Sequence, residues 1–188
     1  ETGKEGLDAH ALLASKTGFC NFIYANRKSH PNRDSMFHKL SAFRFVNSLG
    51  PHLNNTPGDG HRAEDWYASS IRMKKPYKFS IAFENAWYPG YTSEKIVTSM
   101  LAGTIPIYWG NPDISREFNS ASFINCHDFP TLDDAAAYVK KVDEDDNLWC
   151  EIMSRPWKTP EQEARFLEET ERETAKPVSY THLTLPTN

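Results

Sequence analysis

The sequence predicts an α/β fold in which helices cover both faces of a parallel sheet. Four apolar runs have the length and composition of buried strands, at residues 18–26, 77–85, 104–110 and 122–129. Helical patterns lie between these runs, and the connections are short. Because crossovers between parallel strands are right-handed, successive helices are expected on both faces of the sheet.

The first strand and the first long helix are predicted from two different apolar patterns. The run GFCNFIYAN at 18–26 is short, apolar and ends in Asn, which is typical of a buried strand. Residues 35–50 are predicted to form a helix that Asp34 caps and Gly50 ends. Its apolar side chains recur at roughly helical spacing: Phe37, Leu40, Phe43 or Phe45, and Leu49.

A loop and two helices are predicted in the middle of the chain. Residues 51–62 are rich in Pro, Gly, Asn and His and indicate a loop, and 63–73 indicate a short helix. After the second strand, a helix capped by Thr92 or Ser93 is predicted to end at Gly103.

The last part of the chain is predicted to be mainly helical. Residues 113–118 indicate a short helix between the third and fourth strands. Thr131 and Asp134 resemble a capping box that opens a helix over 132–142. A polar helix over 159–173 follows.

Composition excludes several classes of protein. The net charge is −4, with 21 basic and 25 acidic residues, so we expect no nucleic-acid partner. No H-x-x-x-H pair occurs, and the acidic run at 143–147 is predicted to be a solvated helix junction, so no metal site is expected. Three scattered cysteines suit a reducing compartment, and no apolar run is long enough to cross a membrane.

Both ends of the chain suggest a fragment of a longer protein. The chain opens on a polar run without an initiator Met, so we assign 1–17 to the tail of a truncated upstream region. The string VSYTHLTLPT at 178–187 resembles a translated sequencing adapter. We therefore predict one domain over 18–173 and a non-native tail over 174–188.

Polar residues gather where the second strand ends and the next helix begins. Glu84 and Asn85 follow the apolar run, and Glu94 and Lys95 occupy the first helical turn. Lysine is unfavourable at a helix N-terminus unless an anion such as phosphate lies between it and the helix. Ligands of parallel sheets bind at the carboxyl ends of strands. The pattern favours a nucleoside-diphosphate site, although a Glu-Lys pair on a solvated helix surface is an equally open reading.

Several ordered motifs resemble those of the α-1,3-fucosyltransferase family, in its bacterial form. They are FEN at 83–85, GYTSEKI at 90–96, IPIYWG at 105–110 and FINCHDF at 123–129. The resemblance implies a glycosyltransferase of the two-domain GT-B type, of which this chain would be the C-terminal half. That half is a Rossmann-like domain that binds GDP-fucose, and the preceding domain binds the acceptor and carries the general base.

The resemblance also assigns roles to individual residues. Lys95 and Arg33 would contact the diphosphate, and Glu94 would hold the ribose. Asn85 and Tyr91 would line the donor pocket. Glu84 would lie near the fucose or near the backbone turn. No catalytic residue is assigned within this chain, because the base is expected in the missing domain.

The implied activity is inverting transfer of L-fucose from GDP-fucose to a hydroxyl of a glycan acceptor. An α-1,3 linkage to GlcNAc of an N-acetyllactosamine-type acceptor is expected, with no cofactor or metal. The resemblance implies the bacterial cytoplasm or the cytoplasmic face of the inner membrane, with peripheral membrane association through a missing C-terminal region. Two alternatives remain: a nucleotide-binding domain without catalytic activity, and a glycosyltransferase that uses another nucleotide sugar.

Overall fold

Parallel strands form the centre of the molecule. The computed structural model describes residues 7–57 and 65–174. Its strands are β1 (Gly18–Phe22), β2 (Val46–Ser48), β3 (Tyr77–Phe83), β4 (Ile105–Trp109) and β5 (Ile124–Asn125). They lie in the order β2-β1-β3-β4-β5, and each neighbouring pair is parallel.

Helices lie between the first four strands and follow the last one in the described part of the chain. They are α1 (Ala9–Ala14), α2 (Asn32–Ser41), α3 (Trp66–Lys74), α4 (Glu94–Leu101), α5 (Leu132–Glu144), α6 (Asp146–Ser154) and α7 (Pro160–Thr174). The predicted short helix at 113–118 is a 3₁₀ turn over Ile114–Arg116, and the predicted strand at 122–129 narrows to β5 between two more 3₁₀ turns.

Alternate side chains along the central strands enter two separate apolar cores. Ile81 and Ile107 face a large core that also contains residues of α2, α5 and α6. Ala82 and Tyr108 face a smaller core together with Met100 of α4. This period of two is that of a sheet buried on both sides. The predicted α/β fold with helices on both faces is confirmed.

The predicted helix over 35–50 is wrong in its second half. Helix α2 starts at Asn32 and ends at Ser41, with Asp34 inside its first turn, and Pro31 occupies the cap position. Residues 46–48 instead form edge strand β2, where Val46 pairs with Cys20 of β1. A strand of three residues is too short to leave a period-two pattern, so pairing with β1 overrides the apparent helical spacing.

Two predicted helix ends are confirmed. Gly103 has φ 65°, and the Gly103 and Thr104 N–H groups donate to the carbonyls of Met100 and Ser99, which closes α4 with a left-handed glycine. The Thr131 hydroxyl accepts the Asp134 N–H at the start of α5. The Asp134 side chain bonds the Thr131 hydroxyl instead of a backbone N–H, so half of the capping box forms.

The chain ends are only partly described. Within 1–17, helix α1 packs against α6, and its Ala9 is buried in the large core. The predicted non-native tail lies outside the described residues, apart from Thr174 at the end of α7. No helix in the described ranges is long and apolar enough to span a bilayer. Those ranges also contain no group of three or more side chains arranged to hold a metal ion.

The acidic run at 143–147 is not uniformly solvated, contrary to the sequence-based expectation. Asp143 is 4% exposed and turns inward from the last turn of α5. Its carboxylate lies 3.1 Å from Lys78 Nζ and 2.8 Å from Arg44 Nη1. Asp146 reaches the same Lys78 at 3.5 Å but stays exposed. Buried carboxylates require such pairing, so this cluster ties α5 to the start of β3.

Removing the charge of Asp143 is expected to destabilise the fold. The substitution Asp143→Asn leaves Lys78 without its buried partner, and the free energy of unfolding should fall by about 2 kcal/mol or more. Asp146→Asn is the matched control, with an expected loss below about 1 kcal/mol because the pair is exposed. Denaturant unfolding of both variants measures the difference, and equal losses would contradict a specific role for Asp143.

Candidate functional site

A cavity opens at the carboxyl edge of the sheet, between β1 and β3. Its volume is about 460 Å³. The chain leaves β1 toward β2 on one side and returns to β3 on the other, so the cavity lies at the point where the strand order reverses. Open parallel sheets bind ligands at this position. The walls come from the segment after β1, the end of β3, helix α3 and the first turns of α4.

Glu84 fixes the start of α4. The residue is fully buried, and its carboxylate accepts the Ser93 backbone N–H at 2.8 Å and the Ser93 hydroxyl at 2.7 Å. The predicted cap is therefore only half right: Ser93 occupies the N-cap position but makes no side-chain cap bond. Its hydroxyl donates to the buried carboxylate instead, because a buried charge has the stronger need for donors.

Lys95 lies between this buried carboxylate and the cavity. Its Nζ donates to Glu84 Oε2 at 3.1 Å and to Ser93 Oγ at 2.8 Å, and Glu94 Oε1 is 3.8 Å away. Both Glu94 and Lys95 line the cavity, as does Asn85. The ammonium is thus held in place beside the free N–H groups of a helix start, which together favour an anion.

A glycine makes the position of Glu84 possible. A Cβ placed on Gly110, just after β4, would lie 2.4 Å from the Glu84 Cγ atom. The Gly110 N–H donates to Nε2 of His127 at 3.2 Å. Burial lowers the pKa of His127, which keeps the ring neutral and able to accept this bond. The IPIYWG and FINCHDF motifs therefore meet behind Glu84.

Arg33 is fully buried, and its guanidinium crosses from α2 to the end of β3. One nitrogen donates to Asn85 Oδ1 at 3.2 Å, and the other terminal nitrogen donates to the Asn26 carbonyl. The guanidinium carbon lies 4.3 Å above the centre of the Tyr24 ring. Among the described residues, its Nε has no hydrogen-bond partner. Arg33 holds two of the segments that line the cavity, although it is not itself part of the wall.

Tyr24 joins the ends of β1 and β3. Its hydroxyl accepts the Phe83 N–H at 2.7 Å and donates to the Ile81 carbonyl at 2.9 Å. Burial raises the pKa of this phenol, so it stays protonated. Tyr24 and Asn26 both line the cavity, and sequence reasoning missed them as site residues. The signal was available, because they end an apolar strand in the same way as Glu84 and Asn85.

Tyr91 lies in a turn beside the cavity and is not among its lining residues. Its ring stacks on Tyr88, with 4.8 Å between ring centres. Asn111 fixes this turn: its Oδ1 accepts the Gly90 N–H at 3.0 Å, and its Nδ2 donates to Thr92 Oγ1 at 3.0 Å. The predicted site residues therefore fall into three groups: Asn85, Glu94 and Lys95 in the wall, Arg33 and Glu84 behind it, and Tyr91 beside it.

The comparisons with known proteins agree on one protein family. Residues 13–181 match the sequence family described as glycosyltransferase family 10 (fucosyltransferase), C-terminal part. The alpha-(1,3)-fucosyltransferase FucT of Helicobacter pylori is 33% identical over 152 residues, which cover 80% of this chain and 30% of that protein. The human GDP-fucose protein O-fucosyltransferase 3 is 32% identical over 133 residues, 68% of this chain and 28% of that protein.

A solved structure has the same fold as this chain. The crystal structure of an alpha1,3-fucosyltransferase with GDP-fucose gives a TM-score of 0.70 at 26% sequence identity, and the match covers 87% of this chain and 49% of that one. This chain therefore spans less than a third of the length of the two sequence relatives and about half of the solved chain.

The two acidic neighbours of Lys95 are expected to respond differently to loss of charge. Glu84→Gln removes a buried charge that receives three hydrogen bonds and should lower the free energy of unfolding by about 2 kcal/mol or more. Glu94→Gln, with a 39% exposed side chain at 3.8 Å from Lys95, should lower it by less than about 1 kcal/mol. Thermal and denaturant unfolding measure both losses. A Glu84→Gln variant as stable as the parent would contradict the role of Glu84 in fixing the start of α4.

Proposed function

This chain belongs to glycosyltransferase family 10, the fucosyltransferases, and we propose that it is the donor-binding half of an inverting enzyme that uses GDP-fucose. One observation carries the proposal: Lys95 is held by Glu84 at the N-terminus of α4, on the wall of a cavity at the strand-order reversal. An ammonium and free helix N–H groups at one point suit the diphosphate of a nucleotide sugar.

The other wall residues suit the rest of the donor. Glu94 is within reach of the same end of the cavity, and its carboxylate can accept hydrogen bonds from ribose hydroxyls. Asn85 presents an amide at the end of β3, where it is oriented by Arg33. We assign Arg33 as the second cation for the diphosphate. Its guanidinium would contact a phosphate by exchanging its bond to Asn85 or to the Asn26 carbonyl.

The reaction we propose is a single displacement. A base outside this chain removes the proton of an acceptor hydroxyl, the oxygen forms a bond to C1 of fucose, and the bond from C1 to the diphosphate breaks on the opposite face. GDP leaves with the electron pair. Lys95, Arg33 and the α4 N–H groups stabilise the negative charge that grows on the departing phosphate. The proposed reaction uses no metal and no other cofactor.

We propose the acceptor from the names of two relatives. The name of the relative from Helicobacter pylori supports an α-1,3 linkage. We propose GlcNAc of an N-acetyllactosamine-type glycan as the acceptor, and a bacterial enzyme of the cytoplasm or of the cytoplasmic face of the inner membrane. The human relative, whose name describes a protein O-fucosyltransferase, supports a protein hydroxyl as the second candidate. In the proposed two-domain enzyme, acceptor choice rests with the other domain.

Calorimetric titration of the chain with GDP, UDP and CDP tests the nucleotide assignment. We expect GDP to bind selectively, because GDP is the nucleotide of the proposed donor. Tighter binding of UDP or CDP would assign the chain to a glycosyltransferase with another donor. Turnover is a poor first test, because both a half-enzyme and an inactive nucleotide-binding domain would give none.

Lys95→Ala should weaken GDP binding by roughly 10- to 150-fold, the effect of losing a hydrogen bond between charged groups. Glu84 keeps its two bonds from Ser93 but loses its cationic partner in this variant, so the free energy of unfolding should fall by roughly 1–3 kcal/mol while the domain stays folded. Lys141→Ala removes an exposed lysine of α5 and serves as the control for net charge. Unchanged GDP affinity in a folded Lys95→Ala protein would remove Lys95 from the diphosphate site.

A further inference from the structure

A second lysine lies in the cavity wall, and no part of the proposed function uses it. Lys74 ends α3 and is only 6% exposed, yet it is among the residues that line the cavity. Its Nζ donates to Thr98 Oγ1 at 2.6 Å and to Ser99 Oγ at 3.3 Å, both on α4. The amine therefore lies between the two helices that form this side of the cavity.

Lys74 has no direct ion-pair partner among the described residues. Both of its hydrogen-bond partners are neutral hydroxyls, and no carboxylate of the described residues lies within ion-pair distance of its Nζ. A buried ammonium without a counter-ion is strongly unfavourable. An ammonium also has three N–H donors, and the two hydroxyls account for two of them. An anion beside the Lys74 ammonium would accept its third N–H and would supply the negative charge that its hydrogen-bond partners lack.

We infer that Lys74 is a further ligand-binding residue of this cavity and supplies positive charge to the anionic nucleotide. The inference rests on the proposed function, because the nucleotide provides the anion. It adds a residue of α3 to a site otherwise built from α4 and the strand ends. It also gives a reason for a lysine at a buried position, where an ammonium is costly to desolvate.

The protonation of Lys74 then changes on binding. Burial lowers the pKa of Lys74 to about 7 in the free protein, Glu94 of α4 raises it in part, and the positive charge of Lys95 lowers it further. Above this pKa the free amine is mostly neutral. A diphosphate in the cavity favours the ammonium and raises the pKa, so binding takes up a proton. Nucleotide affinity should consequently fall as the pH rises from about 7 to about 9.

Calorimetry with GDP tests the inference on the full chain. Titrations at about pH 8, in two buffers of different ionisation enthalpy, give the number of protons taken up. The parent is compared with Lys74→Met, which keeps the length and apolar stem of the side chain, and with Lys75→Met, which removes the neighbouring exposed lysine. Because a GDP phosphate titrates as well, the contribution of Lys74 is the difference between parent and variant.

We expect Lys74→Met to bind GDP at least about 10-fold more weakly at pH 7 and to take up fewer protons at pH 8, while Lys75→Met matches the parent. Lys74→Met should also be folded and should lose the rise in stability with pH that the lowered pKa gives the parent between about 7 and 10.5. GDP binding and proton uptake unchanged in Lys74→Met would overturn the inference alone. A parent that binds no GDP would overturn the proposed function and the inference with it.

Discussion

The buried carboxylate of Glu84 is the group on which the cavity depends. It receives the N–H and the hydroxyl of Ser93 and the ammonium of Lys95 within 3.1 Å. Glu84 follows β3 and Ser93 precedes α4, so one side chain sets the distance between strand end and helix start. A buried charge tolerates little displacement, because each lost donor costs about 1–3 kcal/mol. Lys95 is therefore placed before any ligand arrives, which reduces the entropy lost on binding.

Residues after β4 support the position of Glu84 and of the turn that follows it. Gly110 leaves room that any side chain would fill, and Asn111, the next residue, holds the Gly90 N–H and the Thr92 hydroxyl. The bonds from Ser93 to Glu84 close the turn over 86–92, and Asn111 fixes its second half through Gly90 and Thr92. The turn itself carries the exposed side chains of Trp87 and Tyr88.

Sequence reasoning recovered the parts of this fold that depend on local pattern. Strands β1, β3 and β4 are long enough to show their apolar runs, and Gly103 and Thr131 mark helix ends by local chemistry. Edge strand β2 was missed because its three residues are defined by pairing with β1, a contact that the sequence does not display. Ser93 and Lys95, the partners of Glu84, could be linked to it from the sequence because they lie close to it in the chain. Lys74 could not be linked to the site, because only the packing of α3 on α4 brings it there.

The three cations near the cavity differ in how far their charges are already compensated. Lys95 is paired with Glu84, and Arg33 is fully buried behind Asn85 with Asp34 3.8 Å from its Nε. Within the described part of the chain, Lys74 has hydroxyl partners alone, so its charge is the one whose stabilisation depends most on an incoming anion. When the cavity holds no anion, the desolvation of Lys74 destabilises the folded protein. Binding of an anion offsets this free-energy cost. Such a residue lowers stability and raises affinity, which is the usual direction of the conflict between stability and function at a binding site.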